Sequence, residues 1–313
     1  MGYKIIQMKA IVLKEGNLVF DELPVPQLNN DEVLVKVKAI SINPVDVKTS
    51  KGGGVYGWVK ENDPLIIGWD ISGVVTETTS AQFKAGDEVF GMVNFPGHGK
   101  GYAEYVAVPA TQLALKPANI SHQEAAAATL APLTALQIFR DAKVVAGQRM
   151  LIQAGAGGVG HYAIQLAKLL GVQVIATSSA ANKEFVLGLG ADEHIDYHAV
   201  KFEDVVKDID IVFDAVGGDI TGRSLDVVKK GGTLVSIPGG LSEATTEKAK
   251  QLGVNAYFQL VKSSGEDMQE LAELLKSGQL ISHVSQVFGF EEMLKAHEQI
   301  ETGRTKGKIV VQL

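Results

Sequence analysis

The chain has 313 residues, no cysteine, and 36 acidic against 29 basic side chains, for a net charge of −7. With 46% hydrophobic and 21% charged residues it has the composition of a folded globular protein, long enough for about two domains. The acidic balance argues against a nucleic-acid binder, and the lack of cysteine excludes disulfide frameworks and thiolate metal sites.

The opening "MGYKIIQMKAIVL" has neither the apolar core nor the small-residue cleavage site of a signal peptide. Residues 1–7 read as an extension before a start at Met8, where a strand pattern begins. From there to about Val108 short β runs follow one another: "MKAIVLKEG", "EVLVKVKAISI", "ISGVVTET", "GDEVFGMV" and "GYAEYVAV". In "EVLVKVKA" the alternation puts Val33, Val35 and Val37 on one face and Glu32, Leu34, Lys36 and Lys38 on the other. This part is expected to be an antiparallel or barrel-like β domain. The most apolar stretch, Ala125 to Phe139, is broken by Pro132 and is too short to span a membrane, so a cytoplasmic protein without membrane association is expected.

Beyond Ser121 strands alternate with helices. "MLIQA", "VQVIAT", "EHIDY", "DIVFDAV", "TLVSIP" and "AYFQL" are separated by segments of helical periodicity, the pattern of a parallel, doubly wound sheet. The last elements, a helix in "EDMQELAELLKSG", the strand "HVSQVF", the helix "FEEMLKAHEQIETG" and the strand "KGKIVVQL", have no place in such a sheet. They are expected to return to the first domain. The boundaries are then 1–123 for the first part of the β domain, 124–265 for the doubly wound domain and 266–313 for the returning segment.

The segment "AGAGGVG" holds Gly155, Ala156, Gly157, Gly158, Val159 and Gly160, and the glycines satisfy G-x-G-x-x-G between a strand and a helix. In that context the first glycine permits the tight turn, the second lets backbone amides approach a pyrophosphate, and the third lets the helix pack on the strand. The helix N-terminus adds donors and a favourable dipole for phosphate. An NAD-selective protein usually ends its second strand with an Asp or Glu for the ribose hydroxyls. Here Thr177, Ser178, Ser179, Ala180 and Ala181 stand there, with Lys183 close by. Hydroxyls and an ammonium accommodate a 2′-phosphate that a carboxylate would repel, so NADP(H) is favoured over NAD(H).

The series "SINPVDVKTSKG", "PLIIGWDISGVV", "GDEVFG", "GYAEYVAVP", "APLTALQ", "AGAGGVG", "FDAVGG", "GGTLVSI" and "KGKIVV", in this order, resembles the zinc-independent quinone oxidoreductase and enone reductase branch of the medium-chain dehydrogenase/reductases. The likeness runs nearly the whole length from Met8. It implies an α/β fold in which a Rossmann doubly wound parallel sheet is joined to a GroES-like β-barrel domain completed by the C-terminal segment. It also implies a homodimer, for which the strand "AYFQL" is a candidate edge. By the same resemblance Tyr197 joins Ser178, Ser179 and Lys183 around the 2′-phosphate. Asn43 and Thr134 line the nicotinamide pocket, and Val216, Gly217, Pro238 and Gly239 lie on loops that contact the cofactor. Read locally, Asn43 is only a strand-end turn residue and Thr134 only an N-terminal helix residue.

Zinc-dependent relatives carry Gly-His-Glu where this chain reads Gly68, Trp69 and Asp70, and an indole is no ligand for the metal. Of the seven histidines only His194 and His198 have suggestive spacing, and they straddle a strand end. Asp46 and Asp70 are expected to serve hydrogen bonding or domain structure, and no metal is expected. A quinone or an α,β-unsaturated ketone is already electrophilic, so hydride transfer to it needs orientation and a donor at the carbonyl oxygen more than a Lewis acid. Asn43 and Thr134 are assigned that orienting role. Tyr56, Trp58 and Trp69 are either pocket walls or core, and Gly52 to Gly54 form either a mobile loop or a turn. A non-catalytic NADPH-binding protein and an alcohol or aldehyde oxidoreductase are the alternative readings.

Overall fold

The computed structural model describes residues 6–313. The expected extension over residues 1–7 therefore lies mostly outside the described residues. The strands in chain order are β1 (Gln7–Lys14), β2 (Asn17–Pro24), β3 (Glu32–Ile42), β4 (Asp70–Thr78), β5 (Glu88–Met92), β6 (Tyr105–Pro109), β7 (Ala114–Leu115), β8 (Arg149–Ile152), β9 (Gln173–Ser178), β10 (Glu193–Asp196), β11 (Ile209–Asp214), β12 (Val228–Ser236), β13 (Asn255–Phe258), β14 (Val284–Gly289) and β15 (Lys308–Gln312).

The chain divides into two units, one of residues 1–133 with 261–313 and one of residues 134–260. The boundaries thus fall ten residues later and five earlier than the expected 123/124 and 265/266. The physical reason lies in what each boundary segment packs against. The helix His122–Ala127 is capped by Ser121 and Glu124 in a reciprocal box, and its Ala126 and Ala127 pack with Ala39 of β3 and Val310 of β15. At the other boundary Ser263 donates its backbone N–H to Phe95 O and its hydroxyl accepts from Phe95 N, which anchors the return segment in the first unit.

In the first unit a two-stranded antiparallel sheet, β1 with β2, accompanies a seven-stranded sheet in the order β14-β15-β3-β4-β5-β7, with β6 also paired to β3. All pairings in the larger sheet are antiparallel except β14 with β15. β3 departs from strict alternation. Leu34 is buried together with Val33 and Val35, and the pairing with β4 shifts register between Leu34 and Val35, so an irregularity covers part of the face expected to be polar. Gly52 and Gly54 adopt φ of 82° and 52° just after the helix Pro44–Ser50, and Gly53 N–H donates to Lys48 O, so this segment is the turn that ends that helix.

The second unit is a six-stranded sheet in the order β10-β9-β8-β11-β12-β13, parallel throughout. Counted from β8 as the first strand, this is the 3-2-1-4-5-6 order of a dinucleotide fold, whose direction of winding reverses beside β8. One layer of its core gathers Leu151, Ile175, Val212 and Leu234 from four neighbouring strands with Phe202, Leu225 and Ala249 from the connections. The β-branched and leucine-rich strands stack side by side because both faces of a parallel sheet are covered by its crossovers.

Candidate active site

Apart from Thr134, which lies on the helix Leu130–Asp141, each candidate cofactor residue of the second unit lies at or after the carboxyl end of a strand: Gly155–Gly160 after β8, Ser178, Ser179 and Lys183 at and after β9, Tyr197 after β10, Val216 and Gly217 after β11, Pro238 and Gly239 after β12. Parallel strands put all of these ends along one edge of the sheet. The glycine loop is shaped by close backbone approach. Ala154 turns into the left-handed region with φ 55°, its carbonyl accepts Gly157 N–H at 2.9 Å, and Gly155 N–H donates to Thr177 O at 2.8 Å. A Cβ on Gly160 would lie 2.2 Å from Ala154 O, and one on Gly155 would lie 2.9 Å from the Ala176 Cβ. The helix Gly160–Leu169 therefore starts tight against β8, and the amides of His161, Tyr162 and Ala163 in its first turn donate to Gly157 O and Val159 O, which fixes the glycine-rich turn at its N-terminus.

At the end of β9, Ser178 Oγ lies 2.7 Å from His194 Nε2, and Ser179 Oγ accepts from Asn182 Nδ2 at 3.3 Å. Lys183 opens the helix Lys183–Gly188 and is exposed. Tyr197 is 56% exposed, its backbone N–H donates to Ser178 O, and its ring lies against His198. His194 and His198 thus have separate partners and do not form a ligand pair. On the next two loops buried Asp214 accepts from the backbone N–H of Val216 and Gly217, both at 2.9 Å, and from Thr221 Oγ1. Gly217 lies against Pro238, where an added Cβ would sit 3.2 Å from the proline Cβ. The carboxylate thereby fixes the β11 loop, whose Gly217 lies beside Pro238 of the β12 loop.

In the first unit Asn43 is buried and engaged at both ends of its amide. Its Nδ2 donates to Asp70 Oδ2 at 2.7 Å, and its Oδ1 accepts from Lys308 Nζ. Its backbone N–H donates to Asp46 Oδ2 at 2.5 Å, leaving Asp46 Oδ1 buried without a partner. Asp70 Oδ1 accepts Leu130 N–H at 3.1 Å, capping the helix Leu130–Asp141 that carries Thr134, itself buried. Lys308 Nζ stands 3.9 Å from Asp70 Oδ2, and both side chains are fully enclosed. Burial dominates the titration of all three charged groups. It raises Asp46 to about 8 and raises Asp70, and it lowers Lys308 although Asp70 and Asp46 pull the other way. Sequence reading placed Asn43, Asp46 and Asp70 in this region but missed Lys308, which lies 265 positions from Asn43.

The aromatic candidates separate. Trp69 is fully buried, donates its indole N–H to Gly97 O at 2.7 Å and packs edge-on against Phe95, so it is core rather than pocket wall. Trp58 is 65% exposed and Tyr56 half-buried. Among the described residues no group of three or more His, Cys, Asp or Glu side chains is placed to hold a metal ion, and no helix is long and apolar enough to cross a membrane.

The 3-2-1-4-5-6 parallel sheet with a glycine cradle at its switch point defines a dinucleotide-binding protein of the oxidoreductase type. Two family descriptions match the chain, "Alcohol dehydrogenase GroES-like domain" over residues 29–118 and "Zinc-binding dehydrogenase" over residues 189–311. The chain belongs to the medium-chain dehydrogenase/reductase family. It is 36% identical over 302 residues to 2-methylene-furan-3-one reductase of Solanum lycopersicum, covering 92% of this chain and 73% of that protein. It is 36% identical over 315 residues to the chloroplastic NADPH-dependent alkenal/one oxidoreductase of Arabidopsis thaliana, covering 96% of this chain and 76% of that protein. Among solved structures, the quinone oxidoreductase of Coxiella burnetii superposes with a TM-score of 0.93 at 38% identity, covering 98% of this chain and 100% of that one.

Proposed function

We propose that this protein is an NADPH-dependent reductase of quinones or α,β-unsaturated carbonyl compounds that works without a metal. The observation that carries the reading is the alignment of the glycine cradle, the Ser178/Ser179/Lys183 group and the β11 and β12 loops along one sheet edge. Two of its relatives, with names that specify enone or alkenal reduction, and a quinone oxidoreductase of the same fold support the substrate class over alcohol oxidation or binding without turnover. NADPH supplies the hydride when bound.

The residues divide the remaining work. The cradle from Gly155 to Gly160, with Ala156, Gly158 and Val159, offers backbone donors to the pyrophosphate. Ser178, Ser179, Lys183 and the Tyr197 ring receive the 2′-phosphate, and Val216, Gly217, Pro238 and Gly239 border the rest of the dinucleotide. Asn43 and Thr134 orient the nicotinamide or the acceptor. Neither is an acid or base, so what they contribute is position and hydrogen bonding to the oxygen on which charge develops, while water supplies the proton. Of the two Asn43 amide hydrogens, Asp70 takes one, which leaves the other for a ligand. Independence from zinc fits the side chains present: Trp69 is no ligand, and Asp70 is occupied by Asn43 and Leu130. A homodimer through the edge strand β13, with Phe258 exposed, and a cytoplasmic location complete the reading.

NADPH oxidation followed by absorbance, with a quinone, a short enone and a saturated aldehyde as acceptors and NADH as control, tests it. Turnover of the first two with strong preference for NADPH is the expected result. Tight NADPH binding with no acceptor reduced overturns the catalytic reading. Lys183→Ala is expected to weaken NADPH binding about tenfold or more, the scale of one hydrogen bond to a charged group, and to leave NADH binding unchanged.

A further inference from the structure

His194 sits on the edge strand β10, whose register sets His194 beside Ala176 and Asp196 beside Ser178. Its half-buried ring reaches across to β9 and places Nε2 2.7 Å from Ser178 Oγ, the hydroxyl that also lies 3.2 Å from Ser179 O. A serine hydroxyl has one hydrogen and two lone pairs, and a neutral imidazole has one donor and one acceptor nitrogen. While the ring is neutral, the Ser178 hydrogen can be spent on Nε2. Once the ring is protonated both nitrogens must donate, so Nε2–H points at Ser178 Oγ and the serine hydrogen is released to another acceptor. A single proton thus does two things at the end of β9: it adds a positive charge one hydrogen bond behind Ser178, and it frees the Ser178 hydrogen for Ser179 O at 3.2 Å or for an incoming phosphate oxygen.

We propose that His194 is a specificity-determining residue for the 2′-phosphate of NADPH, a positioning residue that acts through Ser178 so that phosphate binding takes up a proton. The inference rests on the NADP(H) reading and deepens it. The charged groups acting on the ring are Asp196 on its own strand and Lys183 at the start of the adjoining helix, and the backbone of Ser178 and Ser179 faces it from β9. Burial, aided by Lys183, disfavours the protonated ring against the pull of Asp196 and of the Ser178 and Ser179 backbone. A phosphate dianion arriving between Ser178 and Lys183 reverses that balance, whereas NADH brings no such charge.

The test is calorimetric titration of the whole protein with 2′,5′-ADP and with 5′-AMP between about pH 8.5 and 6.5, above the second ionisation of the phosphate near 6. The wild type is expected to bind 2′,5′-ADP about five- to tenfold more tightly at the lower pH, with proton uptake read from buffers of different ionisation enthalpy, and 5′-AMP equally at both. His194→Gln keeps a hydrogen bond to Ser178 without titrating, and it is expected to remove both the pH dependence and the proton uptake. The same slope and uptake in His194→Gln overturn the role of His194 while leaving the NADP(H) reading intact. Equal affinity of the wild type for 2′,5′-ADP and 5′-AMP at every pH overturns the NADP(H) reading and the inference with it.

Discussion

Asp46→Asn is expected to make the protein more stable at pH 8, with the gain shrinking as pH falls and nearly gone at pH 4. In the fold Asp46 is fully buried, one of its oxygens accepts from Asn43 N–H and the other has no partner, and burial raises the carboxyl to about 8 from an ordinary value near 4. The folded state therefore holds a proton that the unfolded chain releases between those two values, so stability falls as pH rises across that window and is fully present only below about pH 4. One such proton gives a slope of about 1.4 kcal/mol per pH unit, or roughly 2–3 kcal/mol between pH 6 and 8. For domains of this size that is a fall in melting temperature of about 5–10 °C. Asparagine keeps an acceptor for Asn43 N–H and binds no proton in this range, so the variant lacks this contribution. Paired thermal melts of wild type and variant at several pH values subtract the histidines and every other group common to both. Parallel curves for the two proteins would refute the buried, proton-holding state of Asp46.

Two further outcomes follow from the same kind of reasoning. Gly160→Ala drives a Cβ to 2.2 Å from a backbone oxygen that cannot move aside, so NADPH affinity measured by fluorescence titration is expected to fall by tenfold or more, with a loss of about 1–3 kcal/mol in stability. Lys308→Met removes the ammonium from beside buried Asp70 and is expected to cost about 3–5 kcal/mol at pH 8 by denaturant unfolding. The loss is expected to shrink as pH falls, because burial raises the Asp70 carboxyl and favours its neutral form; a loss independent of pH would count against the pairing.

The doubly wound sheet was legible because its signals are local. A strand, three spaced glycines and a helix lie within about twenty residues, and each later strand is a short β-branched run bounded by turns. The carboxyl-end positions of Ser178, Tyr197, Val216 and Pro238 follow from that same order of elements. The buried network of the first unit was not legible. Nothing near Lys308 in "KGKIVVQL" distinguishes it from a solvated lysine, and its partners, Asn43 just after β3 and Asp70 at the start of β4, are brought to it only by the long-range pairing of β15 with β3 and of β3 with β4. His194 and Ser178 are likewise joined by a parallel register that sequence spacing does not reveal. The expected boundary at 123/124 cuts through the helix His122–Ala127 because its alanines suit any helix packing, and only contact with Ala39 and Val310 decides which sheet it covers.

The place of β15 between β14 and β3 has a consequence for synthesis on the ribosome. Residues 134–260 are contiguous, so the dinucleotide unit has its whole sheet available once that stretch has emerged, whereas the unit that begins the chain waits for residues 308–312. The usual amino-to-carboxyl order of domain completion is thereby inverted. Until the last strand arrives, the Ala39–Ile42 half of β3 lacks its neighbour on that side and the Asp70 carboxylate lacks its ammonium, so the unit translated first is the last to become whole.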